Sequence, residues 1–161
     1  MAVHKLILES VFDEVDCTLI AIHSTIEDYR LTYLLNKQLG TNLTRKLPDL
    51  DFSAGKSTYS IFEWEDTMNL TTWNLVSNIC KTEINKPQLI NSLFDTEEKI
   101  IKTTYLLPEY KAVNYFLKID SEFNVTKEKH ILNKILQLHQ VITAFSIDIN
   151  QLKSKDNLIF S

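Results

Sequence analysis

Apolar residues recur along the chain with two periods, and the changes between those periods mark the elements. "CTLIAIH" (17–23) is a short apolar run fit for a buried strand. Ser24 follows it, with Glu27 three residues later, the spacing of a capping box. Ile26, Tyr29, Tyr33, Leu34 and Leu35 then fall at helical spacing until Gly40, a residue suited to a left-handed helix end. A helix over 24–39 is predicted. "LTRKLPDLDF" (43–52), "STYSIFEWED" (57–66) and "TTWNLVSNICKTEI" (71–84) alternate with period two and are rich in aromatic and β-branched residues, which predicts an antiparallel meander. Segment 85–101 is weakly patterned and reads as a loop with a helical turn, before strands at "TTYLL" (103–107) and "VNYFLKID" (113–120). Thr126 opens a second helix, in which Ile131, Ile135 and Leu138 fall at i, i+4 and i+7 and Leu132 and Leu136 widen the stripe. "VITAFSIDI" (141–149) closes the series as a strand. This order implies an α+β fold, a two-layer sandwich with a mainly antiparallel sheet and two main helices on one face. No linker or repeat divides the chain, so residues 1–161 read as a single domain.

Composition adds mostly exclusions. A chain of 161 residues buries roughly 70% of its unfolded surface on folding, enough for a sizeable core. With 44% hydrophobic and 24% charged residues it has the balance of an ordered globular protein. The net charge is −4, and Arg30 and Arg45 are the only arginines, so no basic stripe offers itself to nucleic acid. No apolar run approaches the roughly 20 residues that span a bilayer, and "MAVHKLILES" lacks the pattern of a cleaved leader, which predicts a cytoplasmic protein without a membrane partner. Cys17 and Cys80 lie far apart and suit two reduced thiols.

The candidate chemistry is sparse. Gly55-Lys56-Ser57 matches the tail of a phosphate-binding loop, but Leu50 stands where the first glycine is needed, and a strand rather than a helix follows. With Gly40 and Gly55 the only glycines, neither the dinucleotide fingerprint nor the hydrolase elbow can be built. His4, His23, His130 and His139 show no metal-ligand spacing; His23 is the most interesting because it ends a strand before a helix, where a hydrogen-bonded strand-edge histidine is the plain expectation. Asp49, Asp51, Glu63 and Glu65 on neighbouring strands read as a solvated acidic face. Trp64 and Trp73 flank a turn and would face each other, with Phe62 beside Leu75, in a symmetric hairpin whose aromatics serve the core. No catalytic residue, metal ligand or cofactor is assigned.

"LLPEYKAVNYFLKI" (106–119) interrupts an apolar run with a proline, an acid and a tyrosine. Pro108 fixes φ and lacks an amide proton, and Asn114 suits a turn, so the stretch reads as a corner in the fold. Within it, "LPEYKAVNY" resembles the signature of the bacterial IPExxxVDY proteins, with Leu107 for isoleucine, then Pro108, Glu109, Val113 and Tyr115. The resemblance extends through "AIHSTIEDYRLTYLLNK", "FEW", "WNLVSN" and "LKSKDNLIF". It implies a cytoplasmic bacterial setting and no assigned activity. Asn114 stands where the family has aspartate, so an essential acid there is not expected.

The function expected is a protein-interaction or regulatory module, working with a protein partner or as a homodimer. The alternative is a small-molecule-binding or enzymatic domain with a pocket between helix 24–39 and the sheet. His23, Arg30, Pro108, Glu109 and Tyr115 are the candidate binding residues. Glu109, flanked by apolar strands, needs a partner, and Arg30 is the expected one because a guanidinium can hold a carboxylate in two parallel hydrogen bonds. From the acidic balance we predict that DNA and RNA fail to bind at about 150 mM salt; a submicromolar affinity in a filter-binding titration would overturn this.

Overall fold

The computed structural model describes residues 17–52, 54–85, 99–121 and 125–160. Strand β1 (Thr18–His23) leads to helix α1 (Asp28–Leu39), then to β2 (Thr44–Phe52), β3 (Ser57–Asp66) and β4 (Thr71–Ser77). A ribbon of β5 (Ile79–Asn85) and β6 (Lys99–Tyr105) follows, then β7 (Tyr115–Asp120), helix α2 (Val125–Leu136) and β8 (Thr143–Ile147). Among the described residues six strands form one sheet in the order β2-β3-β4-β7-β1-β8, and β5-β6 form a second, two-stranded sheet. Every pairing is antiparallel. The fold is the expected α+β sandwich, and β2-β3-β4 is the expected meander.

Burial explains the sequence pattern strand by strand. β1 and β7 pair with each other inside the sheet and are buried on both faces, so β1 reads as an apolar run and β7 as one broken only by Lys118, whose ammonium pairs with Asp120. On one face Ile20, Ile22, Leu117 and Ile119 pack with Leu31 and Leu35 of α1 and Ile131 and Ile135 of α2. On the other, Leu19, Ala21 and Phe116 lie among Leu106, Leu107, Val113, Leu152 and Leu158. The second face is therefore covered in part by the 106–113 corner and the C-terminal segment. Among the described residues β2 is an edge strand, mostly exposed, with a register shift between Lys46 and Leu50 around Pro48, which interrupts the edge.

Several boundaries differ from expectation for identifiable reasons. α1 begins at Asp28 after Glu27, not at Ser24. Ser24 is occupied elsewhere: its amide donates to Asn114 Oδ1 at 3.0 Å and its hydroxyl to the Gln140 carbonyl at 2.7 Å. The buried stripe of α1 is Leu31, Thr32 and Leu35, which leaves Tyr29 and Tyr33 outside it and exposed. Gly40 ends the helix as expected, with φ 69° and its amide donating to Asn36 O. The run 71–84 breaks at Asn78 into β4 and β5, "TTYLL" stops as a strand at Tyr105, β7 starts at Tyr115, and the last strand covers only 143–147. β6 begins at Lys99 inside the expected loop; the rest of that loop, 86–98, lies outside the described residues. Among the described residues no helix is long and apolar enough to cross a membrane.

Because Leu117 is fully buried in the strand that joins β4 to β1, Leu117→Ala is expected to destabilise the fold by roughly 2–5 kcal/mol in urea unfolding. A loss well under 1 kcal/mol would show that β7 is not the centre of the core.

Candidate functional site

The corner at 106–115 is closed by hydrogen bonds. Asn78, fully buried between β4 and β5, donates from Nδ2 to the carbonyls of Tyr110 (2.9 Å) and Val113 (2.8 Å), and its Oδ1 accepts from the Leu107 amide (2.9 Å). Its main chain bonds Leu106 and Asn114 as well. One buried amide thus satisfies main-chain groups that a buried corner would otherwise strand without water. Pro108 opens a 3-10 turn (Pro108–Tyr110), where its missing amide proton costs nothing. Asn157 Nδ2 donates to the Leu106 carbonyl at 2.8 Å, tying in the C-terminal segment.

Glu109 does not pair with Arg30. Its carboxylate accepts from the amides of Lys153 (2.9 Å) and Ser154 (3.5 Å). A hydrogen bond from the Ser154 side chain, with these amides, holds its carboxyl below the usual glutamate range. Pro108 turns the acid toward the C-terminal segment, whereas Arg30 lies on the exposed side of α1 and meets Glu27 at 3.4 Å. That exposed pair contributes little.

Tyr115 starts β7, and its hydroxyl donates to the Ile26 carbonyl at 2.6 Å, fastening the loop before α1. Burial, and then the charges of Asp28 and Glu27, push the phenol up to about 12. Asn114 Oδ1 accepts from the Ser24 amide, a bond that an aspartate could equally accept. The His23 carbonyl accepts from Ile142 at 2.8 Å, but its buried Nδ1 has no hydrogen-bond partner among the described residues, unlike the expected bonded histidine. Glu109 therefore faces the C-terminal segment and Tyr115 faces α1, so the expected candidates do not converge on one pocket.

The acids resolve into local pairings. Glu63 accepts from Lys46 Nζ (3.1 Å) and Asn74 Nδ2 (3.0 Å); burial acts to raise its pKa, yet these bonds outweigh it and hold the carboxyl below the usual range. Asp49 pairs with Arg45, and Asp51 accepts from the Gly55 amide. Among the described residues no group of three or more His, Cys, Asp and Glu could hold a metal ion.

A cleft of about 260 Å³ lies elsewhere, between α2, the end of α1 and the β3-β4 hairpin. Trp64 and Trp73 are direct cross-strand partners, as are Phe62 and Leu75, and the indole centroids stand 5.9 Å apart at 43°. Trp73 is mostly buried and donates from Nε1 to Thr71 Oγ1 at 3.2 Å, while Trp64 is only partly covered. Lys127, His130 and Lys134 line the opposite wall, with Ile131 between them. Asp66 lines the hairpin side, but its carboxylate is turned into the tight turn, accepting from the amides of Met68 and Asn69 and from Asn69 Nδ2. Those bonds, Asn69's side chain first, hold it below the usual aspartate range, and Lys127 adds to the effect.

None of His23, Arg30, Pro108, Glu109 and Tyr115 lines this cleft, and it abuts only the C-terminal end of α1. Its residues come from three separate stretches, which hides it from a linear scan. A local signal did exist: 127, 130 and 134 repeat at i, i+3 and i+7 beside the apolar stripe, with no acid at i±3 or i±4 among the described neighbours. Comparison of the chain with protein-family models, curated proteins and solved structures found no match.

The depressed Glu109 carboxyl gives a pH-dependent prediction. A group whose folded pKa is lowered contributes stability above its unfolded pKa and loses it as pH falls through the folded value. Glu109→Gln should therefore be less stable than the parent at pH 7, and the difference should close during acid titration below the normal glutamate range. A difference that is constant across that window would remove the ionic part of the contact.

Proposed function

We propose that this protein is a small cytoplasmic binding module, without catalysis, whose ligand enters the cleft between α2 and the β3-β4 hairpin. The observation that carries this reading is the pairing of both tryptophans of the chain with a cationic helix face across an open space. Aromatic floors with a few polar groups on one wall are the usual makeup of ligand sites. The 106–115 corner supports the same division of labour, since its acid, amides and phenol are all engaged in holding main chain. We include membership of the IPExxxVDY family in the proposal, the motif then being a fold signature and not a reaction centre.

A second reading, the homodimer, is favoured by one feature. Among the described residues β8 is the outer strand beside β1, and Ile142 and Phe145 at that edge are 62% and 38% exposed. One set of two-dimensional NMR spectra separates the two. Titration with a panel of small planar compounds is expected to shift residues of α2 and the hairpin around Trp64 and Trp73. Shifts confined to 142–147 that grow with protein concentration, with the cleft silent to every compound, would instead make association the function.

A further inference from the structure

The charge around the cleft goes further than its shape. Lys127, His130 and Lys134 are its basic residues, and Asp66 is its one acid. Asp66 directs its oxygens into the hairpin turn and sits in the field of Lys127, so those two charges balance each other. Lys134 has no such balance: positions 130, 131, 137 and 138 on its side of the helix are histidine, isoleucine, glutamine and leucine. Its ammonium makes no ion pair with a described residue, and His130, one turn before it, has no described side-chain partner. Across the gap, Trp64 offers a partly covered indole face backed by the buried Trp73.

We infer that the cleft takes a small planar organic anion, its ring lying on Trp64 and its carboxylate held by Lys134 and His130. This rests on the cleft being the binding site. A cation of the kind held in aromatic cages would meet the ammonium of Lys134, while the carboxylate of Asp66 is engaged in its own turn, so the charge selects against it. A neutral ring would gain the stacking but leave the lysine unused. His130 supplies an N–H donor whether or not it is protonated. The volume, about 260 Å³, suits a free molecule of one or two rings more than a folded partner.

The chain's two tryptophans, both in the cleft, give two indole N–H signals in nitrogen-labelled protein, so the site carries its own reporters. The probes are cinnamate and its neutral isostere cinnamamide. Cinnamate should shift both indole signals saturably, and cinnamamide should bind roughly five-fold more weakly, the scale of one partly screened charge contact. Lys134→Gln should bring cinnamate down toward the level of the amide while leaving the amide's affinity unchanged. Trp64→Leu should weaken both. Equal affinity for the two probes, or a Lys134→Gln variant whose preference for cinnamate is undiminished, would overturn the anion inference and leave the cleft standing as a binding site. No indole shift with either probe, in protein whose other signals show it folded, would overturn both.

Discussion

Strand β7 must sit between β4 and β1 with both faces buried, and the rest of the molecule is arranged to let the chain enter it. It pairs with Leu75 and Val76 on one side and with Ile20 and Ala21 on the other, so it joins the meander to the N-terminal strand. The approach to such a strand leaves water at both of its ends. Residues 106, 107 and 113 are almost wholly buried, whereas 108, 109, 111 and 112 between them are exposed, so the main-chain polar groups at the buried ends of that path need protein partners. Asn78 supplies three bonds from one side chain, and the break it makes between β4 and β5 places it opposite the corner. A hydrophobic residue of similar size would fill the space and leave the Val113 carbonyl and the Leu107 amide unsatisfied, at about 1–3 kcal/mol each, while the Tyr110 carbonyl would keep its bond from the Val113 amide.

The same constraint orders the neighbouring contacts. Asn114 takes the Ser24 amide, Tyr115 takes the Ile26 carbonyl, and so the residues that lead into β7 also fix the exit from β1 toward α1. Glu109 and the Leu106 carbonyl hold the C-terminal segment, which brings Leu152 and Leu158 down onto the second face of the sheet. A motif with a proline, an acid and a tyrosine thus works as the joint between three separate parts of the chain.

Much of this architecture was legible because it follows from periodicity. The buried strand at 17–23, the meander, the Trp64–Trp73 register and the Gly40 helix end are all local consequences of side-chain alternation or backbone conformation. What was not legible depended on partners distant in sequence. Ser24 and Glu27 have capping-box spacing, but Ser24 is drawn off by Asn114 and Gln140, which no local pattern announces. Asn78 inside an alternating run looks like one more strand residue. Arg30 was a reasonable partner for Glu109 by chemistry alone, yet main-chain amides 44 and 45 residues along the chain took that place. Glycine and histidine spacing argued against familiar nucleotide and metal motifs but could not find a cleft formed by residues from 39–41, 64–73 and 127–134.

The cleft itself follows from a mismatch of lengths. β3 runs for 10 residues, about 33 Å of extended chain. Each helix has 12 residues and is only about 18 Å long. Two such helices cover the centre of the sheet, where Leu31, Leu35, Ile131 and Ile135 meet Ile20, Ile22 and Leu117, but they do not roof the far end of the hairpin. α1 stops there at Gly40, and the paired tryptophans fill part of the space that a longer helix would occupy. Their large apolar area keeps the end of the sheet from water while Trp64 remains partly uncovered. Lys127 and Lys134 of α2 border this gap. Closing the 106–115 corner and leaving the hairpin end open therefore makes the two ends of one sheet unlike: one is fastened by hydrogen bonds that hold the topology, and the other keeps a cleft.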